Sequence, residues 1–338
     1  MDVSRDRLYF ADVSNQRVRA VDLVSGVITT VAGGGSADIG DGGPATAATF
    51  STHPMRVMVN GDDLYITDAH QNKVRRVDAT GTITTYAGNG TESFSGDGGA
   101  ATAAGLSVPH GARFDGDGNL FIADTHNQRI RRVDGRTGLI TTVAGSGRTG
   151  FSGDDGPAVD ADLASPLAVD LDGDGNLYIA DTNNDRIRRV DAATGTITTV
   201  AGVGEIGPLV DGVAAREARF GRLRDVVVAA NGNLVVADGN NSVICRIDLS
   251  EGVIRLVAGT GTDGFSGDGG AATAAQLQLP YSIALDEDQN LFIKDSCNCR
   301  IRRVDAVSGT IATIAGSGDY GFSGDGGPAL EARLATGK

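Results

Sequence analysis

The chain has no tryptophan, three cysteines, eight prolines and no apolar run long enough to cross a bilayer. Cys245, Cys297 and Cys299 are odd in number and irregular in spacing, which excludes a disulfide framework. Fifty glycines without a Gly-X-Y period exclude collagen and, with so little proline, indicate many tight turns. No charged leader followed by an apolar stretch stands at Met1, so no secretory signal is read in this chain. Basic residues are the minority: 29 Lys and Arg against 43 Asp and Glu, a net charge of −14. Such a surface repels phosphate backbones and excludes nucleic acid as a general partner, while it suits cationic or metal ligands.

What the chain has in abundance is repetition. The stretch LYIADTNNDRIRRVD at Leu177 has near-copies at Leu8, Leu64, Leu120, Leu234 and Leu291, at intervals of 56 or 57 residues. Around Leu177 the unit reads LAVDL, a DGDGN turn, LYIAD, a TNND turn, RIRRVD, an ATG turn and TITTVAG. Alternating β-branched residues between Gly, Asn and Asp turns predict four short antiparallel strands. A linker of the form GFSGDGGPATAAxL follows, and its Asp or Gly before an Ala-rich segment predicts a capped helical turn anchored by Phe and Leu.

A four-stranded sheet of this size cannot bury its own faces, so the expected architecture is all-β: a six-bladed β-propeller of four-stranded blades, residues 1–338 forming one domain. An open solenoid is the alternative. ARLATGK at the end, read on into MDVSRDRLYFAD at the start, matches AGLSVPHGARFDGDGNLFIAD but for two residues. The inner strand missing from the sixth blade is thus split between the two termini, which close the ring. That split points to a segment cut from a longer chain or to a permuted order.

These units resemble NHL repeats, in the version with GFSGDGGPA linkers found in large bacterial extracellular proteins and similar to the teneurin propeller. The resemblance covers essentially the whole chain. It implies the propeller fold, and an extracellular or periplasmic setting. For function it leaves several classes open, because propellers of this type include RNA readers with basic faces, protein-binding modules and a zinc-dependent amidating lyase.

Residues present in every copy are read as scaffold. Asp12, Asp68, Asp124, Asp181, Asp238 and Asp295 close the second strand, and Arg17, Lys73, Arg129, Arg186 and Arg300 open the third, with Val243 breaking the series. The aspartates are expected to bind an Arg and turn amides, not cations. The DGDGN turns lack the bidentate Glu of a calcium loop and read as hairpins, and the linker DG pairs read as turns.

Function is sought where the copies differ. The second residue after the repeated Asp is Ser14, His70, His126, Asn183, Asn240 or Cys297. His53 and His110 stand where linkers enter the inner strands of blades 2 and 3, so all four histidines are expected in one sector of one face. His and Cys suit zinc; a site of His70, His110, His126 and His53 is one reading, exposed turn residues the other. The zinc of the amidating lyase is held by His from separate blades around the channel, and the sector clustering here departs from that pattern.

On the inner strands, Met1, Met58, Val228 and Ala284 occupy a position that carries Arg113 and Asp170 in blades 3 and 4. Arg56, Asp225 and Tyr281 are further polar residues there. They form either a polar ligand pocket or an Arg113–Asp170 pair that holds two blades in register. Lys294 replaces the Ala or Thr of the other blades and is read either as a base of lowered pKa or as a partner of Asp295. Cys297 and Cys299 read either as half of a soft-metal site or as free thiols on a turn. Arg216, Arg219, Arg222 and Arg224 form a local basic cluster in the fifth linker, for an acidic partner or as plain scaffold.

The first functional expectation is a monomeric binding or scaffold module that presents one loop face to a protein or small-molecule ligand. The alternative is a metal-dependent lyase or hydrolase at the channel mouth, with Arg113 steadying an anion and Lys294 or Tyr281 supplying acid–base chemistry. Zinc and calcium are the ions considered.

Overall fold

The structure is a computed structural model that describes residues 1–35, 41–50 and 54–336. Among them, six antiparallel sheets follow one another along the chain, as expected for a six-bladed propeller. Blade 3 shows the pattern: an inner strand Pro109–Phe114, a second strand Leu120–Asp124, a third strand Arg129–Val133 and an outer strand Ile140–Ala144. The inner strands of the other blades are Asp2–Ser4, Pro54–Asn60, Pro166–Leu171, Leu223–Val228 and Pro280–Leu285. Each linker adds a short pairing outside the outer strand of the blade that follows it, as Gly156–Pro157 does on Thr196–Ala201.

The core lies between blades, which is why one repeat cannot stand alone. Between blades 3 and 4, Ala123, Ile130 and Ala144 meet Val169, Leu177, Ile179 and Ile197, with linker residues Ala158, Ala161 and Leu163 wedged between them. Each such large aliphatic side chain stabilises the ring by about 1.5–3 kcal/mol. The linker turns are single 3₁₀ turns without a side-chain cap, entered from Pro or Ala, so the capped turn expected from the sequence is corrected. Two glycines make this compact path possible. Gly145 has φ +94 and a Cβ there would lie 2.2 Å from the Gln128 carbonyl oxygen; at Gly153 it would lie 2.7 Å from Ala161.

The ring closes where the termini meet, at the inner strand of blade 1 and not of blade 6, whose inner strand Pro280–Leu285 is complete. The Ala335 amide donates to Asp12 (2.7 Å) and the Ser14 amide donates to the Ala335 carbonyl (2.9 Å). These bonds match those of Ser107 to Asp124 (2.7 Å) and His126 to Ser107 (3.1 Å) in blade 3.

The repeated Asp is scaffold, but its arginine is not the one that opens the third strand. Asp124 accepts from the Ser107 amide, from Asn127 (2.8 Å) and from Arg131 (3.3 Å), two residues further on. Arg131 is fully buried and also reaches Asp97 of the linker at 2.7 Å. Arg19, Arg188 and Arg302 repeat this arrangement with Asp325, Asp154 and Asp268. The opening Arg129 instead lies over the Phe94 ring, 3.7 Å from its centroid, as Arg17, Arg186 and Arg300 lie over Phe322, Phe151 and Phe265. Blade 5 exchanges the set together: Cys245 replaces the buried Arg, and Leu209 and Val213 pack against that cluster from the linker.

These carboxylates predict an acidic stability optimum. Burial pushes Asp181 and Asp295 up to about 6 and raises Asp12, Asp124 and Asp238. Unfolded Asp titrates near about 3.9, so folding takes up protons between the two values and stability falls as pH rises through that window. The turn aspartates go the other way. Amide and hydroxyl bonds lower Asp22, Asp134 and Asp191, and hold Asp248 at about 2, so their contribution is lost as pH falls below the unfolded value. Calorimetric Tm is expected to peak near about pH 4–5; a steady rise from pH 4 to 8 would contradict this assignment.

Candidate functional site

The channel mouth nominated by the sequence is filled by its own polar residues. Arg56 of blade 2 reaches across the ring to Asp225 of blade 5, and both are buried. Asp225 also accepts from Ser282 Oγ (3.0 Å) and the Ile283 amide (2.9 Å) of blade 6. Nearer the opposite end, Arg113 Nε pairs with Asp170 at 3.0 Å and its Nη1 with Asp2 at 3.5 Å. The Arg113–Asp170 pair is the register contact foreseen as the alternative to a pocket.

Strand register corrects two neighbours of that position. Asp2 pairs with Tyr9 and Val227 with Val235, as Arg113 pairs with Phe121 and Asp170 with Tyr178. The equivalents of Arg113 are therefore Asp2 and Val227, not Met1 and Val228; one step along a strand moves a side chain to the other face. Between Arg56, His110, Arg224 and Tyr281 only about 20 Å³ remains, room for little more than a water.

The other nominated residues are dispersed. His53 lies outside the described residues. His126 is exposed, 3.9 Å from Glu92. His70 is the middle residue of the 3₁₀ turn Ala69–Gln71 after the second strand of blade 2, while His110 lies on the inner strand at the channel mouth. No group of three His, Cys, Asp or Glu side chains among the described residues could hold a metal ion. No disulfide joins the three cysteines, and Cys245 and Cys299 are buried.

Lys294 is buried, and its pairing with Asp295 is not found. Asp295 accepts from Gln278, Asn298 and Arg302, whereas the Lys294 ammonium faces the Tyr281 ring at 5.7 Å. Burial lowers the Lys294 pKa to about 8, and the charge of Asp12 opposes that shift. Burial raises Tyr281, and Arg224, 5.1 Å over the Tyr281 ring, opposes that shift in part.

The arginines of the fifth linker do not form one patch. Arg219 pairs with Glu205 at 2.9 Å, Arg222 donates to Asn183 at 3.2 Å, Arg224 turns to the channel mouth and Arg216 is exposed.

Symmetry breaks most on the lower face, which carries the turns between first and second strands and between third and fourth. Blades 3 to 6 have five-residue turns there, as in Asp115–Asn119, where Asp115 accepts from the Asn119 amide at 2.8 Å. Blades 1 and 2 have two-residue turns, Arg5–Asp6 and Gly61–Asp62. Three depressions of about 1150, 540 and 400 Å³ adjoin these two short turns. The sequence signal for blade 2 was the 56-residue interval from Leu8 to Leu64: between equivalent strand positions, Val59 to Leu64 against Phe114 to Leu120, its connection holds four residues instead of five.

The family model described as NHL repeat matches residues 106–133, the end of a linker and the first three strands of blade 3. The blades are NHL repeats. NHL repeat-containing protein 2 of Homo sapiens is 29% identical over 307 residues, covering 81% of this chain and 42% of that protein. Teneurin-1 of Mus musculus is 30% identical over 300 residues, covering 77% of this chain and 10% of that protein. This NHL propeller thus spans less than half the length of either relative. A solved auxiliary nutrient binding protein from Bacteroides thetaiotaomicron superposes with TM-score 0.64 at 15% identity, covering 95% of this chain and 76% of that one. At that identity the likeness is one of fold. No helix among the described residues of the NHL propeller is long and apolar enough to cross a membrane.

Proposed function

We propose that this NHL propeller is a monomeric binding module that presents one face of the ring to a protein or small-molecule ligand, in an extracellular or periplasmic setting. One observation carries the reading: Arg56, Asp225, Arg113, Asp170 and Asp2 of the channel pair with one another, while the lower face opens beside the two short turns. The nutrient-binding neighbour supports it by fold. The net charge of −14 argues against a nucleic-acid ligand.

The test is metal content by mass spectrometry on untagged protein, with a thermal-shift screen of peptides, saccharides and organic cations. Zinc is expected far below one equivalent and unchanged by His110→Ala, with Tm raised by at least one ligand class that is not turned over. One zinc per chain that is lost on His110→Ala, together with turnover, would replace the binding module with the lyase or hydrolase.

A further inference from the structure

We propose that the cleft between blades 6 and 1 on the lower face binds an extended peptide segment in which apolar residues alternate with Lys or Arg. This rests on the binding-module reading and names the ligand class for it. The cleft, of about 1150 Å³, runs from Ser4 and Asn290 near the channel to Leu330 at the periphery. That is larger and longer than a compact small molecule requires.

Its chemistry is divided. Val3, Val21, Leu23, Phe292 and Ile314 make an apolar floor, and Leu330, 55% exposed, extends it outward as a lip. Along the two walls stand Asp6 and Asp22 from blade 1 and Asp286, Glu287 and Asp288 from blade 6. Asp22 and Asp286 bond the amides of their own turns, whereas Asp6, Glu287 and Asp288 are exposed. The two cations of the cleft are already paired with carboxylates outside it: Arg5 with Asp62 at 3.1 Å and Arg303 with Asp305 at 3.5 Å. The unsatisfied charge is therefore negative on both sides of an apolar floor. An extended chain points successive side chains to opposite sides, so alternating apolar and basic residues meet floor and walls in turn.

The ring shows what closing this cleft would look like. The positions of Phe292, Ile314 and Val3 correspond by register to Tyr65, Tyr86 and Phe114 between blades 2 and 3. There the three rings pack edge-on with centroids 4.6 to 6.3 Å apart and fill the same space. Smaller aliphatic side chains hold two of the three positions between blades 6 and 1, so no aromatic cluster fills the floor of the cleft beside the short Arg5–Asp6 turn.

The experiment is fluorescence anisotropy with a labelled octapeptide of alternating Leu and Lys. Its Ser–Lys and Leu–Glu counterparts serve as controls. Binding is expected for Leu–Lys alone and is expected to weaken severalfold between about 50 and 300 mM NaCl. Asp6→Lys/Glu287→Lys/Asp288→Lys should weaken it about tenfold or more, against at most about twofold for Asp117→Lys/Asp174→Lys/Glu251→Lys on other turns of the same face. Val3→Phe/Ile314→Tyr copies the filled interface without changing charge and should abolish binding; Leu330→Lys on the exposed lip tests the same cleft without touching the core. Equal binding of Ser–Lys, or wild-type affinity in both the filled and the lip variants, would overturn the proposal. If Leu–Lys fails while another ligand class raises Tm, this inference falls and the binding module stands.

Discussion

Asp225→Ala is expected to lower stability by about 3–5 kcal/mol, the largest loss from any single truncation at the channel. Asp225 accepts from Arg56 of the opposite blade, from Ser282 Oγ and from the Ile283 and Val226 amides. Truncation leaves a buried guanidinium without its carboxylate and removes a tie between blades 2, 5 and 6. The cost comes from the orphaned charge, not from the net worth of the pair, because desolvation of both partners offsets most of their attraction. The double variant Arg56→Met/Asp225→Leu should therefore lose less stability than Asp225→Ala, since it removes the orphaned charge and leaves only neutral donors, the Ile283 and Val226 amides and the Ser282 hydroxyl, without their acceptor. Denaturant titration of the single and double variants checks both statements. A loss below about 1 kcal/mol for Asp225→Ala would show that the residues are solvated in solution and that the channel is open.

Lys294→Met is expected to act in the opposite direction and stabilise the ring. The ammonium is buried, and its pKa falls from the usual 10.5 to about 8 through burial. A shift of this size corresponds to about 3 kcal/mol disfavouring the charged form at neutral pH. For a base of lowered pKa the cost is fully present below the folded value. It is relieved as pH rises from about 8 towards the unfolded value of about 10.4. Methionine fills similar volume without charge, so Tm should rise at pH 7 and the gain of stability between pH 8 and 10 should vanish. Unchanged stability at both pH values would mean that the ammonium reaches water. The other five blades carry Ala or Thr at this position, so the fold itself does not require the lysine.

The fold was legible because six copies of one strand-and-turn pattern admit few arrangements. The Arg113–Asp170 contact was legible too, since inner strands of adjacent blades run side by side. The partner of the repeated Asp was not. Register places Arg129 directly opposite Asp124, but Arg129 reaches outward to the Asn127 and Ser146 carbonyls at 3.0 and 2.7 Å, and the diagonal Arg131 takes the carboxylate. The histidines shared a face in the sequence reading, yet among the described residues His70 and His126 stand on turns and His110 on an inner strand, and no three metal-ligating side chains meet. The lower cleft was hidden for another reason. It is lined by Phe292, Ile314 and Val3, which lie far apart in the chain and come together only when the ring closes.

The polar contacts of each linker also define where one module ends and the next begins. Phe94 and Asp97 meet Arg129 and Arg131, and Ala100 bridges Leu139, all in the blade that follows. The unit that can be exchanged, duplicated or deleted with its clasp intact therefore runs from a linker glycine to the end of the next outer strand, as in 88–144. A cut at the start of an inner strand would leave Arg19, Arg131, Arg188 and Arg302 with the Asp of their own blade but a foreign linker carboxylate. A graft made at the linker glycine carries its own lock.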